Sequence, residues 1–174
     1  RPDAASAAER LGGDDSTFDG VKFCCPQRAV DGDTKKWDEL LGMAKTGRLS
    51  GNMDYFRVQG LNPDGTPNGG FEKLLALDNL IDYVINGQYH AAQDWPGNYY
   101  VYRRRGVGSE GFHFITWDND LALRNQNPNA NKVRTDPGHN WWTQSPGILD
   151  IALRNNAEYR VRFADRAYQH LYHG

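Results

Sequence analysis

The chain has 174 residues, 39% of them hydrophobic, 12% aromatic and 24% charged, with 20 Lys and Arg against 22 Asp and Glu. That length suits one domain with a real core and is short for two, and the composition excludes a disordered chain. No apolar run approaches the roughly 20 residues of a membrane-spanning helix, and a net charge of -2 disfavours a nucleic-acid partner.

The sequence opens Arg1-Pro2-Asp3 with neither an initiator Met nor the apolar core of a signal peptide, and reads as a processed or excised piece. Residues 2–11 form a short alanine-rich helical pattern with Pro2 in its first turn and Gly12-Gly13 as a left-handed stop. Residues 14–33 read as polar and turn-rich. Within them Cys24 and Cys25 are adjacent, and neighbouring Cα atoms about 3.8 Å apart lie below the usual disulfide range. The pair is therefore neither a disulfide framework nor a CxxC motif; two reduced thiols near a loop leave the compartment undecided.

Thr34 is placed to cap a helix in which Trp37, Leu40, Leu41 and Ala44 share one face and Gly47 follows the end. A helical turn around residues 54–58 leads into Asn62-Pro63-Asp64-Gly65-Thr66-Pro67-Asn68-Gly69-Gly70, a surface loop. A further helix is expected from a cap at Asp78 to about Tyr89, with Leu80, Ile81, Val84 and Ile85 on one face. After a polar bend the period changes to two, so Tyr99–Arg104 and Phe112–Trp117 are predicted to pair as a hairpin. Residues 124–144 read as a loop, and within it Trp141-Trp142 suits a stacking surface or a buried cover. From Ser145-Pro146 the pattern is helical, with a break near Asn155-Asn156 and a stripe of Tyr159, Phe163, Ala167 and Leu171. The fold class is thus α+β, mostly helical, with one small hairpin and no sheet of five or more strands.

Asp94 lies in the bend before the hairpin, Asn98 four residues on, and Asp118 and Asp120 just after the second strand. A hairpin brings its two ends together, so these groups can converge. Phosphoryl transfer from a nucleotide needs such a set: one carboxylate for the acceptor hydroxyl, and an amide and a carboxylate for the magnesium ions on the phosphates. By themselves the acids also fit a solvated helix end and a charged turn. Asp78 and Asp82 read as helix-end acids. Arg103-Arg104-Arg105 reads as a charged, exposed edge strand. His170 and His173 read as surface residues without a third metal ligand.

The stretches Gln93-Asp94-Trp95-Pro96-Gly97-Asn98-Tyr99-Tyr100 and Thr116-Trp117-Asp118-Asn119-Asp120 resemble the catalytic loop and the W-D-x-D metal motif of the CotH kinase family, the atypical kinases first known from spore-coat protein H. Arg1-Pro2-Asp3, Val30-Asp31-Gly32-Asp33 with Trp37, Asp78–Tyr83 and Phe163-Ala164-Asp165-Arg166 are similar to further landmarks of that family, so the likeness runs through nearly the whole chain. It implies a protein-kinase-like C-terminal lobe with Asp94 as the catalytic aspartate, Asn98 and Asp118 at the nucleotide and metal, and Asp120 as a further metal ligand. It also implies ATP and Mg2+ as cofactors and a coat, cell-surface or secreted protein as substrate. Ala92, Gln93 and Leu121 depart from the family's usual residues, which bears on substrate positioning. No strand-rich lobe is legible before Asp94, and none of Lys22, Lys35, Lys36, Lys45, Lys73 and Lys132 falls on an evident strand. Residues 1–174 are therefore expected to be a partial kinase domain, without its nucleotide-binding lobe and with little activity alone. The alternatives are a non-catalytic binding module or pseudokinase, and a magnesium-dependent phosphoester hydrolase.

Overall fold

The computed structural model describes residues 2–23, 26–91, 95–106, 108–122 and 143–173. Cys24, Cys25, Asp94, and the expected loop with Trp141-Trp142 save for its last two residues lie outside them. Helix α1 (Ala4–Leu11) starts where the Asp3 carboxylate accepts the Ser6 N–H at 2.8 Å, and it stops at Gly12, whose φ of 72° suits glycine.

The segment read as turn-rich is in fact β1 (Phe18–Phe23) and β2 (Gln27–Asp31), an antiparallel pair. Helices α2 (Lys35–Lys45), α3 (Asn52–Arg57) and α4 (Leu77–Tyr89) follow, close to their expected bounds. Strands β3 (Tyr99–Arg104) and β4 (His113–Ile115) form the expected hairpin, and α5 (Pro146–Leu153) and α6 (Ala157–Tyr172) complete the described chain. The hairpin is half of a four-stranded sheet ordered β2-β1-β3-β4, antiparallel throughout. The fold is α+β and mostly helical, but its sheet is twice the size expected and begins before Asp94.

Alternation explains the two faces of this sheet. Val21, Tyr99, Val101, Phe112 and Phe114 point to the main core, where they meet Trp37 and Leu40 of α2, Leu80, Ile81 and Val84 of α4, and Leu149 and Leu153 of α5. Phe18, Tyr100 and Tyr102 point the other way and are covered by Ala4 and Ala7 of α1. Small residues in α1 let the helix lie close to three rings. The edge strand β4 is tied down because the Asn79 side-chain oxygen accepts the Phe114 N–H at 2.5 Å.

Three local expectations need correction. Thr34 stands at the N-cap of α2 as expected, but its side chain accepts no capping hydrogen bond and its hydroxyl donates to Asp38 at 2.7 Å. Asp78 lies inside the first turn of α4 and is bound by Arg162 Nε at 2.7 Å, while Asp82 takes Arg166 and, at 2.8 Å, His170. These pairs dock α6 on α4, so the acids bind across helices and do not merely sit at a helix end. Finally, Arg103 is on no exposed edge: β3 is internal, and Arg103 is 3% exposed beside Asp19 at 2%.

The Arg162 guanidinium beside Asp78 holds its carboxyl below the usual carboxylate range. A carboxyl lowered on folding contributes stability above its unfolded pKa, and that contribution is lost as pH falls through the lowered value. The difference in urea midpoint between the wild type and Asp78→Asn is therefore expected to be present at neutral pH and to shrink below about pH 4. A difference independent of pH would contradict the pairing.

Candidate active site

The sheet's antiparallel register fixes which residues meet at each end. Tyr100 pairs with Ile115, Val101 with Phe114 and Tyr102 with His113. Asn98, just before β3, and Asp118, just after β4, therefore leave the hairpin at the same end. The Asn98 amide nitrogen donates to Asp118 Oδ2 at 3.1 Å, which joins two residues 20 positions apart.

Asp118 is exposed and has no carboxylate or cation partner among the described residues. Its backbone is left-handed, with φ 55° and ψ 50°, a conformation that costs a non-glycine residue roughly 1 kcal/mol. That turn starts a short 3-10 segment, Asn119–Leu121, which carries Asp120, also exposed. Asp120 makes no hydrogen bond or ion pair among the described residues. Thus the structure joins Asn98 to Asp118, leaves Asp120 nearby in sequence but unjoined, and Asp94 lies outside the described residues.

Aromatic packing holds both flanks of this pair. Trp117 meets Tyr100 edge-on, with ring centres 5.4 Å apart. On the other flank, buried Trp95 leans on Tyr83 at 6.3 Å and lies flat against α4 where Gly87 offers no side chain. Between α4 and the hairpin end runs a narrow crevice lined by Asn86, Gly87, Trp95, Asn98, Trp117 and Asn119. A Cβ at Gly87 would come within 2.3 Å of Trp95 Nε1. Gly87→Ala is expected to destabilise the fold by about 1–3 kcal/mol through this overpacking, and to move the Trp95–Asn98 turn. Thermal unfolding and the tryptophan near-ultraviolet signal would show both; an unchanged melting point would contradict the packing.

The donors here are hard oxygens. A carboxylate with an open oxygen, an amide and a second carboxylate two residues on suit magnesium, which takes one or two carboxylates and completes its shell with phosphates and water. Among the described residues no group of three His, Cys, Asp or Glu side chains gathers as a closed metal cage. An open site shared with phosphates has no need of one.

The expectation that no lysine lies on a strand is corrected here. Lys22 is on β1, paired with Tyr100, and reaches the same end of the sheet as Asn98 and Asp118. Its strand was hidden by charge: Asp19 and Lys22 interrupt the apolar pattern, although Phe18, Val21 and Phe23 are all strand formers.

A family model described as CotH kinase protein matches residues 44–173. No curated protein and no solved structure matches the chain.

Proposed function

The chain belongs to the CotH kinase family, and on that footing we propose that it carries the acceptor and metal residues of an ATP- and magnesium-dependent protein kinase acting on coat, cell-surface or secreted proteins. The observation that supports this most is the Asn98–Asp118 hydrogen bond at the open end of the hairpin. In this reading Asp94 accepts the proton of the acceptor hydroxyl as its oxygen bonds to the γ-phosphorus. The bond from that phosphorus to the bridging oxygen breaks, and ADP leaves. Asn98 and Asp118, with Asp120 two residues on, would hold the magnesium that accompanies the phosphates. When bound, that ion neutralises charge on the transferring and leaving groups. The hydrogen bond from Asn98 keeps the Asp118 carboxylate oriented, and Trp117 on Tyr100 fixes the turn that presents it.

The test is transfer itself. With γ-labelled ATP, magnesium and a Ser-containing protein acceptor, label should move to the acceptor when these residues are joined to a nucleotide-binding lobe, and little should move with residues 1–174 alone. Release of free phosphate without an acceptor would favour a hydrolase. Neither transfer nor nucleotide binding would favour a binding module.

A further inference from the structure

The sheet end that carries Asn98 and Asp118 also carries two cations that meet no carboxylate among the described residues. β1 and β4 both end there and β3 begins there, since Phe23 pairs with Tyr99 and Tyr100 with Ile115. Lys22 is only 9% exposed, and its ammonium lies 5.7 Å above the Tyr100 ring. Arg28 stands directly opposite it on β2, so both side chains leave the same face of the sheet. Neither makes an ion pair among the described residues. Asp31 of that face accepts from the Tyr102 hydroxyl opposite Gly20, and Asp3 caps α1 through Ser6.

Like charges directly opposite each other on a sheet repel. Packing of the lysine stem on an aromatic ring explains why its methylenes are buried. It does not explain why an arginine faces it. An anion between the two removes that repulsion, with the arginine fork and the lysine point charge each suited to phosphate. Position says which anion. Tyr100, under the Lys22 ammonium, touches Trp117, the residue before Asp118, and Lys22 is two strand spacings from β4, about 10 Å.

We propose that Lys22 and Arg28 form a phosphate subsite that takes the nucleotide's phosphates on the side away from Asp118. This rests on the kinase reading above, and its test separates the two. Calorimetry of the 174-residue chain would use magnesium tripolyphosphate, MgADP and adenosine as probes, with Lys22→Met, Arg28→Ala and Asp118→Asn as variants. Lys22→Met is expected to weaken tripolyphosphate and MgADP at least tenfold, and Arg28→Ala at least threefold, with adenosine unaffected.

Wild-type affinity in both cation variants, with loss in Asp118→Asn, would overturn the subsite and leave the kinase reading standing. Loss in the cation variants with retention in Asp118→Asn would support the subsite and contradict the metal assignment. No binding of tripolyphosphate by the wild type would overturn the subsite. So would cation variants that lose poly-glutamate but keep tripolyphosphate, since the partner would then be an acidic protein. Arg28 is exposed, so Arg28→Ala decides by the same threshold if Lys22→Met does not fold.

Discussion

Replacing Arg103 by Met is expected to destabilise the protein by about 3–5 kcal/mol, the usual effect of breaking a buried ion pair by removing one partner. Arg103 donates to Asp19 at 3.1 Å and also to Glu72, and its guanidinium lies 5.6 Å above the Phe112 ring. Asp19 further accepts from Arg105 at 2.9 Å and from the Asp33 N–H at 3.2 Å. This network ties β1 to β3 and both to the segment that enters α4. Methionine fills much of the space but leaves the Asp19 carboxylate buried with only half-exposed Arg105 as counter-charge. The double variant Asp19→Asn/Arg103→Met should therefore cost clearly less than the sum of the singles. Urea unfolding of the three variants measures this, and strict additivity would contradict a shared network.

In the intact kinase, Asp94→Asn is expected to lower phosphoryl transfer by about 10²–10⁴-fold while leaving nucleotide affinity within about threefold, because a proton acceptor near the hydroxyl acts on the reacting group and not on the ground-state phosphates. Steady-state transfer rates and nucleotide titration of the same variant read the two effects apart. A loss of nucleotide binding as large as the loss of rate would contradict this role.

The helices and the hairpin were legible because their patterns are clean: Trp37, Leu40, Leu41 and Ala44 on one face of α2, and the strand-forming run Tyr99-Tyr100-Val101-Tyr102 in β3. β1 was not, because its strand spends one core-facing position on Asp19 and one α1-facing position on Gly20, over which the Tyr102 ring closes to 2.3 Å from a would-be Cβ. Burial of Asp19 makes sense only once Arg103 stands across from it, and no local pattern conveys a partner 84 residues away. The same pairing reverses the reading of Arg103 from an exposed edge residue to a core one.

At the candidate site, the meeting of Asn98 and Asp118 followed from element order alone, since an antiparallel hairpin must return its ends to one place. Lys22 could not be found that way. Its approach to that end depends on β1 inserting between β2 and β3, a long-range pairing that the intervening helices conceal.

Magnesium-dependent nucleotide binding by Asp118→Asn, compared with Asp94→Asn and the wild type in one calorimetric series, tests the central assignment most directly. The Asp118 carboxylate must stay ionised beside a dication, and a neutral amide of the same shape cannot replace that charge. The account predicts that Asp118→Asn loses at least tenfold in MgATP affinity and that Asp94→Asn binds as the wild type does. Equal loss in both variants, or undiminished magnesium-dependent binding by Asp118→Asn, would contradict it.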